Sequence, residues 1–133
     1  MKKILIGLLA VFVINQSFAQ SATTIPLATG DTVVNTGTSS KVIRLTTGYE
    51  GVAVTAIATE ISGTSAGTIA VYGSPDGVNY DIIGSAFTVT DVASQSKTFY
   101  ITAPVPVYLK VLQTGTGTMS SVLTVKYVLR KHN

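Results

Sequence analysis

Apolar and polar residues alternate with a period of two along most of the chain after residue 40. Successive side chains of a β-strand point to opposite faces, so this alternation is typical of half-buried strands. Gly, Pro, Asn, Asp and Ser separate the alternating segments, as turns require. The pattern predicts strands at Lys41–Thr46, Val52–Ile61, Thr68–Gly73, Tyr80–Ile83, Phe87–Thr90, Lys97–Thr102, Val107–Gln113 and Ser121–Leu129, with a weaker candidate through Thr23–Ala28 or Thr32–Val34.

The number and spacing of these strands predict an all-β fold. About eight short strands separated by turns indicate a single antiparallel β-sandwich, either a jelly roll or immunoglobulin-like, or a small barrel. Charged residues make up only 11% of the chain, whereas Thr, Ser, Gly and Val are abundant. That composition favours strands and disfavours helices.

The same alternation assigns a core. The strand Val52–Ile61 is ambiguous because both of its faces are mostly small or apolar. It fits a central strand covered on both sides, or a face that meets a partner. The predicted core consists of Ile43, Leu45, Ile69, Val71, Phe99, Ile101, Val107, Leu109, Val111, Leu123 and Val125, with Ile57 and Ile61 as further members.

The first nineteen residues have the pattern of a secretory signal peptide. Lys2 and Lys3 precede an apolar run that ends near Ile14, and Ala19 offers a small residue at the cleavage point. A retained anchor is the alternative, but a spanning helix needs about 20 apolar residues. We therefore expect a signal peptide at 1–19 and a β-sandwich domain at 20–133. The signal is short and ends in Ser17-Phe18-Ala19-Gln20, which resembles the signal peptides of Bacteroidetes bacteria.

Cleavage predicts an exported protein, located in the periplasm, on the cell surface or outside the cell, with no remaining membrane span. The sequence has no cysteine, which excludes both a lipoprotein anchor and disulfides. Loss of Lys2 and Lys3 lowers the net charge from +3 to +1. No Lys/Arg cluster remains that would indicate nucleic-acid binding.

Catalytic chemistry lacks its usual residues. The single histidine is His132, next to the last residue, and there is no cysteine nucleophile. A Ser–His–Asp triad would therefore have no well-placed base, and zinc would lack its usual ligands. A pair of carboxylates acting as in glycosidases is the remaining enzymatic alternative. We expect a protein that is not an enzyme and needs no cofactor.

The most distinctive local sequence is a turn between two predicted strands. Pro75 presets φ, Asp76 can accept backbone N–H groups, Gly77 tolerates positive φ, and Asn79 follows. These features predict a hairpin that connects Tyr72 to the strand beginning at Tyr80.

The same segment offers a weak calcium candidate. Asp76, Asn79 and Asp81 could supply oxygen ligands from one loop. Their spacing does not match an EF-hand loop, and turn chemistry accounts for Asp76 and Asn79 without a metal.

The stretch from Gly73 to Tyr80 resembles the Gly-Ser-x-Asp-Gly-x-Asn-[Trp/Tyr] hairpin of extracellular bacterial β-sandwich modules and tailed-phage structural proteins. The resemblance extends loosely over the C-terminal half of the chain, and the aromatic position holds Tyr80 where Trp is commoner. It implies a β-sandwich with a virion, tail, adhesion or carbohydrate-contact role. The signal peptide departs from virion proteins, which usually assemble in the cytoplasm.

The tyrosines are the main interface candidates. Tyr72, Tyr100 and Tyr108 are out of phase with the apolar residues of their strands, which predicts three rings on outer faces, and Tyr80 lies close by after the turn. Exposed tyrosine suits protein interfaces and sugar rings. Alternatively, some of these rings cover a second sheet or an edge, or one strand phase is shifted by a residue.

Two functions follow from these observations. The first is an exported structural or assembly protein whose strand edges and outward tyrosines join copies of itself or another surface or virion protein. The alternative is a monomeric binding or adhesion module for surface glycans or another exported protein.

Overall fold

The computed structural model describes residues 23–24, 31–46 and 49–131. The predicted signal peptide therefore lies outside the described residues. No helix of the described ranges is long and apolar enough to cross a membrane. The strands are β1 (Thr23–Thr24), β2 (Thr32–Val34), β3 (Thr38–Arg44), β4 (Tyr49–Gly63), β5 (Gly67–Ser74), β6 (Asp81–Val89), β7 (Ser94–Thr102), β8 (Tyr108–Gly115) and β9 (Met119–Lys131).

Two antiparallel sheets form a sandwich. In the first sheet β9, β4 and β7 are neighbours in that order, and β1 and β2 both pair with β9. The second sheet has the order β3-β8-β5-β6. The pairs are nested, since β5 pairs with β6, β4 with β7, β3 with β8 and β2 with β9. This nesting confirms the predicted all-β sandwich and identifies it as a jelly roll rather than an immunoglobulin-like fold.

The core lies between the sheets and is built from the inward phase of each strand. Ten of the predicted core residues are buried, and Val52, Val54, Ala56 and Ala58 of β4 join them. Burial of such side chains is the main stabilising contribution to a domain of this size. The confirmed members are Ile43, Leu45, Ile69, Val71, Phe99, Ile101, Leu109, Val111, Leu123 and Val125.

Three predicted core residues are not in the core. Ile57 and Ile61 lie in the outward phase of β4, and Ile61 is 58% exposed. Val107 is 39% exposed because β8 begins only at Tyr108. The Val107 carbonyl instead accepts a hydrogen bond from the backbone N–H of Leu45, at 2.8 Å.

The predicted strands Tyr80–Ile83 and Phe87–Thr90 form a single strand, β6. The pairing with β5 shifts between Ile69, which faces Phe87, and Val71, which faces Ile83. Gly84 has a φ of 72° in this irregular stretch. A bulge therefore replaces the predicted break, and β6 continues along the edge of its sheet.

The ambiguous strand is central within its sheet but has one open face. β4 lies between β7 and β9, and its inward residues are buried. Its outward residues Ala53, Thr55 and Ile57 are half-buried among their in-sheet neighbours, and no described strand packs over them. The outer face of β4 is therefore open, and the strand is not covered on both sides by the described strands.

Polar groups occupy one end of the core. The Lys41 ammonium lies 2.6 Å from both carboxylate oxygens of Asp31, and each side chain is only 9% exposed. Nearby in the fold, the amide of Gln113 donates to the hydroxyl of Ser121 at 2.7 Å, with both residues fully buried. The sequence analysis did not anticipate these interior polar contacts.

Candidate functional site

The outer surface of the four-stranded sheet brings three of the four candidate tyrosines together. One row of paired residues crosses all four strands, from Val42 through Lys110 and Tyr72 to Ile82. Val42 and Ile82 are each 52% exposed. We call this surface the tyrosine face, and it consists of Val42, Arg44, Tyr72, Tyr80, Ile82, Tyr108 and Lys110.

Strand alternation causes these side chains to share one surface. On β8 the residues Leu109 and Val111 point into the core, so Tyr108 and Lys110 point outward. On β5 Val71 is buried and Tyr72 is half-buried on the opposite side. The row spans roughly 14 Å, because neighbouring strands lie about 4.8 Å apart. No described residue forms a further layer over it.

Lys110 lies close to two of the tyrosine rings. Its Nζ atom lies 4.2 Å from the centroid of the Tyr80 ring and 5.3 Å from that of Tyr72. Both distances are in the range where a cation is attracted to the face of an aromatic ring. The lysine therefore places a positive charge directly beside two half-exposed rings.

Tyr108 has contacts on two sides. The guanidinium carbon of Arg44 lies 5.9 Å from the centroid of its ring. From the hairpin, Gly77 approaches so closely that an added Cβ would lie 3.2 Å from the ring carbons. Gly77 also has a φ of 78°, which favours glycine at this position. The β5–β6 hairpin therefore folds against the edge of the tyrosine face.

Asp76 stabilises that hairpin by hydrogen bonds within the turn. Its Oδ1 atom accepts hydrogen bonds from the N–H groups of Val78 and Asn79 and from the hydroxyl of Ser74, at 2.7–2.9 Å. Its Oδ2 atom accepts the side-chain amide of Asn79 at 2.7 Å. The two backbone N–H groups are the main reason that the pKa of the Asp76 carboxyl lies well below its usual range. Pro75 occupies the exposed tip of this turn.

The calcium candidate gains no support from this arrangement. Both carboxylate oxygens of Asp76 are used within the turn, and the amide of Asn79 donates to one of them. Asp81 is exposed at the start of β6. The described residues contain no group of three His, Cys, Asp or Glu side chains that could hold a metal ion.

Tyr100 is separate from the other candidates. It lies on β7 in the five-stranded sheet, where it pairs with Ala53, and it is 80% exposed. A shallow groove beside it is lined by Gly51, Ala53 and Val128. The four tyrosines therefore divide between the outer faces of two different sheets.

A second groove lies between the edge strands β6 and β7. Ile83 and Phe87 line one side, and Phe99 and Ile101 line the other. Lys97 shares the inward phase of β7 but is exposed at the mouth of the groove. An inward-pointing charge on an edge strand is a common protection against pairing with another chain.

The sequence analysis missed the apolar and cationic members of the tyrosine face. Arg44, Lys110, Val42 and Ile82 were not among the candidates. A signal was present for Lys110, which is two residues from Tyr108 and therefore on the same face. The neighbours on β3 and β6 become visible only through the strand pairing.

Comparisons with known proteins assign no family. No protein-family model and no curated protein matches the chain. Among solved structures, the chain is similar to the CBM22-1–GH10 modules of Clostridium thermocellum xylanase 10B, determined with xylohexaose. The identity is 13% and the TM-score 0.48, over 86% of this chain and only 25% of that chain.

A carbohydrate-binding module of type CBM28, specific for non-crystalline cellulose, is also similar. Its identity is 7% and its TM-score 0.44, over 86% of this chain and 74% of that module. At these identities and TM-scores, the two likenesses assign neither a family nor a ligand to this chain.

Proposed function

We propose that this chain is an exported, non-enzymatic binding module that takes a glycan on the tyrosine face. The observation that carries the proposal is the presence of Tyr72, Tyr80 and Tyr108 side by side on an open sheet surface. A sugar ring has apolar C–H faces and hydroxyl edges. A surface that alternates aromatic rings with hydrogen-bond donors is complementary to both parts.

Exposure of the surrounding apolar residues supports this assignment. Val42 and Ile82 end the row at opposite edges of the sheet, and both are half-exposed rather than buried. Ile82 lies directly beside Tyr72 and extends its apolar surface, whereas Val42 lies on the other side of Lys110. The phenolic hydroxyls and the Lys110 ammonium keep the surface polar enough for a hydrated ligand.

The test is binding of the chain from Gln20 to Asn133 to a glycan array, followed by calorimetry on the best ligand. Tyr72→Ala and Tyr80→Ala should each weaken binding about tenfold, equivalent to about 1.4 kcal/mol. Tyr100→Ala is the matched control, because it removes the same side chain from the opposite sheet. Unchanged binding by the first two variants, or loss with the third alone, would place the site elsewhere.

A second candidate function, self-assembly, is favoured by the exposure of Tyr100. The outward face around this ring includes the uncharged residues Ala53, Thr55, Ile57 and Thr98, and the exposed Lys126 pairs with Thr55. Joined face to face with a second copy, or with another exported or virion-type protein, this surface would need to bury about 800 Å² on each partner to be stable. Light scattering coupled to size exclusion tests this candidate. A multimer that Tyr100→Ser dissociates supports it, and a monomer at every concentration rejects it.

A further inference from the structure

Among the described residues, the two cations of the tyrosine face form no ion pair with a carboxylate. All six Asp and Glu residues of the sequence lie within the described ranges. Within those ranges, the carboxylates that form ion pairs closer than 4.0 Å are Asp31, with Lys41, and Glu50, with Arg130. Arg44 and Lys110 therefore place two positive charges on this surface that form no ion pair within 4.0 Å among the described residues.

The cations alternate with the rings. Arg44 pairs with Tyr108 across the strands, and Lys110 follows two residues later on β8. Arg44 and Lys110 are thus diagonal neighbours, roughly 7–8 Å apart at the backbone. Tyr72 pairs with Lys110 on the far side. A ligand lying along this line would meet a cation beside each aromatic contact.

We propose that the ligand of the tyrosine face is an acidic polysaccharide of the polyuronate class. This inference rests on the glycan-binding function proposed above. A uronate carries its carboxylate directly on the sugar ring, so one sugar can pack on a tyrosine and pair with the adjacent cation. The planar fork of Arg44 suits a carboxylate, and the Lys110 ammonium supplies further charge-assisted hydrogen bonds.

The alternative role of these cations is structural. Lys110 could serve only to hold Tyr72 and Tyr80 at their observed distances, and Arg44 only to cover Tyr108. In that case the charge would not affect which polysaccharide binds. The two roles therefore differ in their dependence on ligand charge and on salt.

The experiment compares polygalacturonate with the same polymer after its carboxylates have been reduced to hydroxymethyl groups. Binding to the chain from Gln20 to Asn133 is measured by calorimetry. We expect the acidic polymer to bind at least about tenfold more tightly, since hydrogen bonds to charged groups are the stronger ones. Raising the ionic strength to about 1 M, where the screening length is about 3 Å, should remove most of that advantage.

Substitutions identify which residues cause the preference for the acidic polymer. Lys110→Met and Arg44→Gln should each reduce the preference for the acidic polymer, whereas Lys110→Arg should retain it. Lys126→Met is the matched control, since Lys126 is exposed on β9 of the other sheet. Loss of the preference in the control variant, with retention in Lys110→Met, would overturn the inference.

Other outcomes distinguish a failure of this inference from a failure of the proposed glycan-binding function. Equal binding of both polymers, abolished by Tyr72→Ala, would refute the charge inference and leave the glycan function standing. Tighter binding of a sulfated polysaccharide than of polygalacturonate would refute the choice of polyuronates. Failure to bind any polysaccharide would refute the glycan function and the charge inference together.

Discussion

The buried ion pair between Lys41 and Asp31 provides a quantitative test of the core. Both side chains are 9% exposed, and the ammonium lies 2.6 Å from each carboxylate oxygen. Removing one partner leaves the other charge in an environment that solvates it poorly. We therefore expect Lys41→Met to lower the free energy of unfolding by about 3–5 kcal/mol. That is a large fraction of the 5–15 kcal/mol typical of a domain.

The double variant separates charge from packing. Replacing both residues, as Lys41→Met with Asp31→Leu, removes both charges and supplies apolar volume. Such replacements are often neutral or stabilising. We expect the double variant to be more stable than Lys41→Met alone, with a coupling energy of about 2–3 kcal/mol between the two positions.

Urea unfolding followed by far-UV circular dichroism measures these differences. With an m value of about 2 kcal/mol/M, the loss in Lys41→Met corresponds to a midpoint lower by about 2 M. The reasoning would be refuted if Lys41→Met and Asp31→Leu each lowered the free energy of unfolding by less than about 1 kcal/mol and the two losses were additive in the double variant. That result is the behaviour of an exposed pair.

Three further predictions concern the turns and the edges. Gly67→Ala should destabilise the fold by about 2 kcal/mol or more in urea unfolding, because φ is 135° and a Cβ would collide with the Thr114 carbonyl oxygen. Gly117→Ala is its control, because φ is also positive there but an added Cβ would have no atom within 4 Å. This variant should lower the free energy of unfolding by only about 1 kcal/mol. The folded-state pKa of Asp76 is depressed, so its stabilising contribution is present above about pH 4 and is lost as the pH falls below that value. The difference in thermal midpoint between the parent and Asp76→Asn should therefore shrink in acid, and a constant difference would contradict this account. Lys97→Val should increase concentration-dependent light scattering by unblocking the β7 edge, and scattering identical to the parent would show that the charge does not protect it.

The sequence predicted the fold class because most strands contrast clearly between their faces. On β8 the apolar Leu109 and Val111 alternate with Tyr108 and Lys110, and the structure buries the first pair and leaves the second outward. On β4 this contrast is missing. The small residues Ala56 and Ala58 point inward while Ile57 points outward, so hydrophobicity alone could not fix the phase.

The candidate site could be predicted only in part, because it depends on pairing between distant strands. The outward phase of Tyr72 and Tyr108 follows from local alternation. Their contact with Arg44 and Lys110 follows from the register of β3, β8 and β5, which no local pattern specifies. Sequence reasoning likewise grouped Tyr100 with the others, whereas the strand order places it on the opposite sheet.

Nested pairing also determines when the chain can acquire its structure during synthesis. The pair β5 and β6 is joined by a short turn, whereas β4, β3 and β2 pair with progressively later strands. The last described strand, β9, lies in the middle of its sheet, between β4 on one side and β1 and β2 on the other. A nascent chain that ends at β8 contains all strands of the sheet β3-β8-β5-β6 and the β4–β7 pair, but it lacks β9, the strand that joins β4 to β2. Folding dominated by such distant pairings takes milliseconds to seconds. A deletion back to Met119 would remove the centre of one sheet rather than trim its edge.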